Sequence, residues 1–260
     1  MPHKPLIGIC IMYPSPGVVE RIGPDWDWIW IDSQHGQIDY SDALALVRAC
    51  NLVGVKAFVR VAGHERGPIA VALDTGADGI IVPQVENADD ARAIVKAAKF
   101  PPLGERSYGA RRCIDREGRL YVEEANIRTE VICQIESPDA LERAEEIAAV
   151  PGVDGLFLGP DDYMLRQGLS MNTPRTEETL GEAFEKLMAA CKQHGKKGMA
   201  VGIGDGVPQL CSRLGYHYIV GGTDVSFLAN TSTTKSAELR KALEASANPT
   251  ATSDGKPSFY

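Results

Sequence analysis

Acidic, basic and imidazole side chains stand where several short apolar runs of this sequence end. His35 follows the run WIWID, Arg60 ends KAFVR, Glu136 ends EVICQIE, and Asp161 and Asp162 follow GLFLGP. Two carboxylates with water oxygens suit Mg²⁺ or Mn²⁺. A guanidinium can donate to a carbonyl or enolate oxygen, and an imidazole can act as a base near neutral pH. Brought together, these groups could bind a metal and stabilise an enolate.

Each of these residues also has a structural interpretation. Glu136 could pair with an arginine, Asp162 could cap the helix after GPDD, and Arg60 could form a salt bridge at a rim. His35 could be a solvated loop residue. Asp74 could orient an imidazole or could be a surface aspartate before a turn. Residue spacing alone leaves both interpretations open.

Eight apolar runs bounded by glycine and proline recur along the chain, with room for one helix after each. The predicted strands span residues 6–12, 28–32, 56–61, 79–85, 130–136, 155–159, 198–203 and 217–222. Most are apolar throughout, as strands buried on both faces are. Eight parallel strands that alternate with helices predict a (β/α)₈ TIM barrel, with a doubly wound open sheet as the alternative.

Amphipathic segments between the strands predict helices, with Ser41, Asn87 and Ser137 as their amino-terminal caps. The alternation of Trp26, Trp28 and Trp30 predicts strand packing and a flanking turn rather than a stacking surface.

The connection over residues 100–126 is too long for an ordinary loop, so we expect a functional loop with a short helix near residues 117–125. Five arginines in this connection could bind an anionic substrate tail or a neighbouring subunit, or could form a solvated face. They are Arg106, Arg111, Arg112, Arg116 and Arg119.

The composition limits the class of protein. The 260 residues carry a formal net charge of −8, which argues against a nucleic-acid partner. Six scattered cysteines indicate neither a zinc site nor a disulfide framework. The sequence shows no signal peptide and no membrane span, which predicts a cytoplasmic protein. We predict one domain over residues 1–245 and a loose tail over residues 246–260.

The ordered set of motifs IDSQHGQID, FVRV, LDTGADGIIVPQVENADDARAIVKAAKFPP, ERSYG, QIES and GVDGLFLGPDDYM resembles one family. The chain is similar to class II pyruvate aldolases of the 4-hydroxy-2-oxoheptanedioate aldolase type. These belong to the aldolase and citrate lyase group of the phosphoenolpyruvate/pyruvate barrel superfamily. The resemblance covers almost all of the chain before the tail.

The resemblance implies reversible cleavage of a 4-hydroxy-2-oxo acid to pyruvate, or a close analogue such as hydroxypyruvate, and an aldehyde. It implies that Glu136 and Asp162 bind a divalent ion, Mg²⁺, Mn²⁺ or Co²⁺, and that Arg60 stabilises the enolate. His35 would be the base of a pair with Asp74 that can be completed across a subunit boundary.

The substrate-binding set that we predict extends beyond these groups. It comprises Arg60, Gln134, Gly159, Pro160, Asp161 and Asp162. The resemblance further implies a homo-oligomer, a trimer or hexamer, in which a carboxyl-terminal helix over residues 224–246 is exchanged between subunits.

Other functions remain open at this level. An oxaloacetate decarboxylase or a citryl-CoA or malyl-CoA lyase could use the same metal and enolate chemistry, and a non-catalytic barrel could bind an oxo acid. A Schiff-base aldolase is disfavoured because no lysine ends a predicted strand.

Overall fold

The computed structural model describes residues 4–247, so the segment 248–260 of the predicted tail lies outside the described residues. Eight parallel strands close into a barrel in the order β1 to β8, which confirms the predicted (β/α)₈ architecture. The strands are β1 (Leu6–Ile11), β2 (Trp28–Asp32), β3 (Lys56–Arg60), β4 (Gly79–Val82), β5 (Glu130–Ile135), β6 (Gly155–Leu158), β7 (Lys197–Val201) and β8 (Tyr218–Thr223).

Helices surround this barrel, and some βα units contain more than one. They are α1 (Pro16–Ile22), α2 (Tyr40–Val53), α3 (Arg66–Asp74), α4 (Ala88–Ala98), α5 (Arg111–Glu117), α6 (Val122–Arg128), α7 (Pro138–Glu142), α8 (Ala144–Ala148), α9 (Pro160–Arg166), α10 (Glu177–Gln193), α11 (Val207–Leu214) and α12 (Asp224–Ala247). Among the described helices, none is long and apolar enough to span a membrane.

Side chains fill the interior of the barrel instead of leaving a pore. The inward-facing residues form one cluster: Cys10, Trp28, Trp30, Phe58, Ile81, Ile132, Phe157, Met199, Tyr218 and Val220. A second and larger cluster lies between the strands and the surrounding helices. Strand residues therefore pack on both faces, which explains why most of their sequences are apolar throughout.

Two of the three predicted helix caps are confirmed. The side chains of Asn87 and Ser137 accept hydrogen bonds from first-turn amides of α4 and α7. Ser41 was the wrong cap for α2, because Asp39 accepts from the Asp42 amide while the Asp42 side chain accepts from the Asp39 amide. This reciprocal pair satisfies two amino-terminal donors, which starts the helix earlier than predicted.

The long connection after α4 has a small core of its own. Helices α5 and α6, with a 3₁₀ turn over Arg119–Tyr121 between them, replace the single short helix that we expected. Phe100, Cys113 and Tyr121 are buried together beneath this segment. The connection is therefore an ordered substructure packed beside α3 rather than an open loop.

Candidate active site

Asp32, the last residue of β2, organises one side of the barrel mouth. Its two carboxylate oxygens accept from Nε and Nη2 of Arg60 at 2.9 and 2.7 Å. The same carboxylate accepts from the backbone amides of Gln34 and His35. Because Asp32 is buried, this forked ion pair fixes the guanidinium plane and also shapes the turn that carries the histidine.

That turn requires a glycine. A Cβ atom at Gly36 would lie 2.3 Å from the carbonyl oxygen of Asp32 and 3.0 Å from that of Met12. The chain therefore passes tightly between β1 and β2. The turn leaves the His35 side chain exposed at the edge of the mouth.

Glu136 lies directly after β5 and is 3% exposed. One carboxylate oxygen accepts from the backbone amide of Gln84 at 2.7 Å and the other from Nε2 of Gln134 at 2.9 Å. Burial raises the pKa of Glu136 to about 7, with a further contribution from the nearby negative charge of Asp162, although the Gln84 amide and Arg60 act in the opposite direction.

The Gln84 amide reaches Glu136 through an uncommon backbone conformation. Gln84 has φ of 56°, and it is the single non-glycine residue with positive φ in the part of the chain that the structure describes. Side chains rarely adopt this region, so the conformation costs free energy. We had not predicted a role for Gln84 from the sequence.

The turn from β6 into α9 brings a second carboxylate to the mouth. Asp161 and Asp162 occupy the first turn of α9, where helix amides have no acceptor within the helix. Asp161 pairs with Arg175, whereas the half-buried carboxylate of Asp162 has no hydrogen bond or ion pair among the described residues. A Cβ atom at Gly159 would lie 2.7 Å from Glu136 Cγ, so glycine permits the close approach.

The floor of the mouth carries two buried polar atoms without hydrogen-bond partners. They are Nε1 of Trp30 and Oε1 of Gln134. The Trp30 ring also lies beneath Arg60, whose Cζ is 4.5 Å from the ring centroid. We had assigned Trp30 to packing alone, since an alternating strand pattern does not show that a residue also faces a cavity.

These groups line one cavity of about 220 Å³. Its lining contains Arg60, Gln134, Glu136, His35, Trp30, Phe157, Val201, and Gly159 to Asp162. Except for Asp74, the structure therefore brings all of the predicted site residues to one place. The arrangement can bind a small anion that has several oxygens, because it presents a fixed guanidinium beside helix amides.

The donor set fits a hard divalent ion. Glu136 and Asp162 supply carboxylate oxygens, and the Gln134 amide oxygen faces the same cavity without a partner. Within residues 4–247 no group of three or more His, Cys, Asp or Glu side chains could hold a metal. Two carboxylates with waters and substrate oxygens match the preference of Mg²⁺ rather than that of zinc.

Asp74 lies away from His35 in this chain. It is the last residue of α3, and its carboxylate accepts from Nη2 of Arg106 at 3.2 Å. A barrel helix runs back from the mouth, so its carboxyl end lies near the amino ends of the strands. A pair between His35 and Asp74 would need a second copy of the chain, and it stays a prediction.

These features define a TIM barrel with a candidate active-site cavity at the carboxyl ends of its strands. A sequence profile described as HpcH/HpaI aldolase/citrate lyase matches residues 19–231. The chain therefore belongs to this family, which confirms the predicted family and its assignment as an aldolase, a carbon–carbon lyase.

Individual relatives agree with this assignment. The chain is 34% identical to a 2-dehydro-3,6-dideoxy-6-sulfogluconate aldolase of Pseudomonas putida, over 94% of this chain and 95% of that protein. It is 38% identical to a 4-hydroxy-2-oxovalerate aldolase of Novosphingobium aromaticivorans, over 73% and 74% of the two chains. A solved HpcH/HpaI aldolase/citrate lyase family structure from Burkholderia cenocepacia has a TM-score of 0.82 and 31% identity, covering 91% of this chain and 95% of that one.

Proposed function

We propose that this protein is a divalent-metal-dependent aldolase that reversibly cleaves a 4-hydroxy-2-oxo acid to pyruvate, or a close analogue such as hydroxypyruvate, and an aldehyde. The observation that carries the proposal is the convergence of Glu136, Asp162 and the Asp32-fixed Arg60 on one small cavity. Relatives named as aldolases of 4-hydroxy-2-oxo acids support the substrate class.

Arg60 would bind the 2-oxo group. Its Nε and Nη2 atoms are occupied by Asp32, which leaves Nη1 to donate to the 2-oxo oxygen of the substrate. A divalent ion held by Glu136 and Asp162 would supply a Lewis acid beside the same oxygen. The first-turn amides of α9, at Asp161 and Asp162, would bind the substrate carboxylate.

His35 would move the proton. In the cleavage direction its imidazole accepts the proton of the C4 hydroxyl, the C3–C4 bond breaks, and the new carbonyl at C4 leaves as the aldehyde. The bonding electron pair passes to the C2–C3 unit as an enolate, whose oxygen Arg60 stabilises with a fixed positive charge. Protonation at C3 then gives pyruvate, and aldol addition is the reverse.

The quaternary structure and the location of the enzyme belong to the same proposal. We expect a homo-oligomer, a trimer or hexamer, in which Asp74 of a second copy orients His35. Helix α12 is exposed over residues 227–245, which is compatible with the predicted exchange between subunits. A cytoplasmic location and the choice among Mg²⁺, Mn²⁺ and Co²⁺ also stay predictions.

Pyruvate release from a 4-hydroxy-2-oxo acid tests the proposal. We expect EDTA to abolish release and Mg²⁺, Mn²⁺ or Co²⁺ to restore it. His35→Ala should retain metal binding and lose turnover, whereas Glu136→Ala should lose metal binding. Full activity after exhaustive chelation would overturn the metal-dependent mechanism. Activity only on oxaloacetate or on a CoA thioester would instead favour a related lyase reaction.

A further inference from the structure

A second polar cavity lies away from the barrel mouth, beneath the ordered substructure formed by α5, the 3₁₀ turn and α6. Its volume is about 110 Å³, roughly the room of three or four water molecules at about 30 Å³ each. The lining includes Asp78, which precedes β4 at the amino end of the barrel. The cavity shares no lining residue with the candidate active site.

Arg116 lines this cavity, and Arg112, outside the lining, shares its contact with Asn51. Nη2 of Arg112 and Nη1 of Arg116 donate to the same Oδ1 atom of Asn51, at 2.6 and 2.7 Å. Arg112 also donates to the backbone oxygen of Thr75 after α3. Neither guanidinium has a carboxylate partner among the described residues. Two positive charges therefore converge on one neutral amide oxygen in a protein whose formal net charge is −8.

The pKa of Arg112 reflects the nearby positive charges. Burial lowers the pKa of Arg112, and the positive charges of Arg116 and Arg48 lower it further. The carboxylates near the cavity are engaged elsewhere: Asp78 accepts from a backbone amide of β3, and Glu117 pairs with Arg128. Arg112 and Arg116 therefore form no ion pair, and the Asp78 carboxylate, which has no cationic partner among the described residues, contributes one negative charge to the same lining.

Buried donor atoms face the same space. The side chain of Arg106 is 4% exposed, and its Nη2 donates to Asp74, while its Nε is buried without a partner. The Tyr121 hydroxyl is also buried without a hydrogen-bond partner, and burial raises its pKa, although Arg106 and the Gly109 backbone act in the opposite direction. Unsatisfied buried donors cost free energy, so a ligand with acceptor oxygens would be stabilised here.

We propose that this cavity is a binding site for one small oxyanion, either inorganic phosphate or a carboxylate, separate from the aldolase site. The anion would accept from Arg106 Nε and the Tyr121 hydroxyl, and it would neutralise the guanidinium of Arg116. Since Arg106 holds Asp74 through Nη2, the ion pair and the anion can be present together. Binding would tie the substructure after α4 to the carboxyl ends of α2 and α3.

Isothermal titration calorimetry of the metal-free full chain tests this site, with inorganic phosphate and acetate as separate probes at constant ionic strength. We expect one saturable site per chain, and the tighter probe identifies the class of oxyanion. Arg116→Gln should weaken binding by about tenfold or more, and Tyr121→Phe by about threefold, because each loses a donor to a charged acceptor.

Arg111→Gln is the matched control. Arg111 lies on the same helix and is 82% exposed, but its guanidinium pairs with Asp115 and does not line the cavity. The Arg111→Gln variant should bind the probe with the same affinity as the unaltered protein. Equal affinities in Arg116→Gln and Arg111→Gln, or no saturable heat with either probe, would overturn the proposal.

A second control separates this site from the barrel mouth. Arg60→Gln, which removes the guanidinium from the mouth, should leave the phosphate or acetate affinity of this site unchanged, even where it abolishes aldolase activity. Loss of binding in Arg60→Gln with retention in Arg116→Gln would place the anion at the mouth and overturn the proposal. Circular dichroism of each variant establishes that the compared proteins are folded.

Discussion

Strand β5 starts with one buried glutamate and is followed by another, and the two have opposite surroundings. Glu130, at the amino end of the barrel, accepts from Lys56, Lys197 and the Tyr218 hydroxyl. Burial alone would raise the pKa of Glu130, but Lys197 and its other partners lower it below the ordinary value. Burial of Glu136, at the mouth, raises its pKa to about 7.

The difference lies in how completely each carboxylate is satisfied. Two ammonium groups and one hydroxyl surround Glu130, so its negative charge is fully compensated within the fold. Glu136 receives one amide from the backbone and one from Gln134, and its nearest charged neighbours include the negative Asp162. A buried anion with another anion beside it is the arrangement that the proposed cation site requires.

The largest expected effect separates these two glutamates. Glu136→Gln should lower kcat by about a thousandfold or more, because it removes a carboxylate from the proposed metal site. Glu130→Gln should leave kcat within about threefold but lower the free energy of unfolding by about 1–2 kcal/mol, because the partly exposed ammonium groups of Lys56 and Lys197 lose their counter-charge. Steady-state pyruvate release and urea denaturation of both variants measure the two quantities.

The comparison of the two glutamates requires that one substitution lowers activity and the other lowers stability. We expect the metal-free Glu136→Gln protein to be no less stable than the unaltered one at pH 8, because a neutral amide replaces a poorly compensated charge. A Glu130→Gln variant that loses activity while keeping its stability would show that the contrast between the two ends of β5 has been misread.

Arg60 should show the next largest effect. Arg60→Lys keeps a positive charge but loses the fork that bonds both oxygens of Asp32. We expect kcat to fall by about a hundredfold, the usual scale for losing one aligned donor to an oxyanion. Lys56→Arg, at the other end of β3, is the control and should keep its activity, since Lys56 pairs with Glu130.

The contributions of Glu130 and Glu136, at the two ends of β5, to the pH dependence of stability should have opposite signs. For metal-free protein, the folded pKa of Glu136 is about 7 against an ordinary 4.5. The folded state therefore binds the extra proton, and about 3 kcal/mol of stability present below pH 4.5 would be lost as the pH rises to about 7. Glu130 has a lowered pKa, so its contribution is lost as the pH falls instead.

Urea denaturation across this pH range measures both slopes. Glu136→Gln should remove the loss of stability between pH 4.5 and 7, and saturating Mg²⁺ should reduce it, because the ion favours the charged carboxylate. An unchanged slope in Glu136→Gln would assign the titration to another group.

The barrel could be predicted from the sequence because its cause is local. Every predicted strand is present, since a continuous apolar run between glycines marks a strand buried on both faces. The position of a residue at the end of such a run, as for Arg60 and Glu136, also predicts that it reaches the mouth. The Asp39 cap of α2 was missed because Asp39 and Ser41 both carry a suitable oxygen and only the backbone geometry decides between them.

Long-range pairings could not be predicted in the same way. The forked bond between Asp32 and Arg60 depends on the register between β2 and β3. The positive φ of Gln84 results from the turn after β4. It could not be predicted from the sequence, because glutamine can adopt other backbone conformations. The arginines after α4 were expected to face an anion, a subunit or solvent, and their shared contact with Asn51 depends on distant packing.

The smallest expected effect concerns the two buried tryptophans of β2, which repeat the same contrast. Trp28 Nε1 donates to the carbonyl oxygen of Leu6 at 3.2 Å, whereas Trp30 Nε1 has no partner and lines the active-site cavity. Trp30→Phe should raise KM for the 2-oxo acid by about threefold to tenfold, because a buried donor to the substrate or to a bound water is lost.

Trp28→Phe is the matched control for this change. It should lower the free energy of unfolding by about 1 kcal/mol, through the lost hydrogen bond and reduced packing, and leave KM unchanged. Kinetics for both variants in the aldol direction, with pyruvate and with hydroxypyruvate, would show which oxygen of the substrate accepts a hydrogen bond from Trp30 Nε1. Equal KM values for Trp30→Phe and the unaltered enzyme would mean that the unpartnered nitrogen has no role in binding, so that an unsatisfied atom in this cavity is not enough to assign a function.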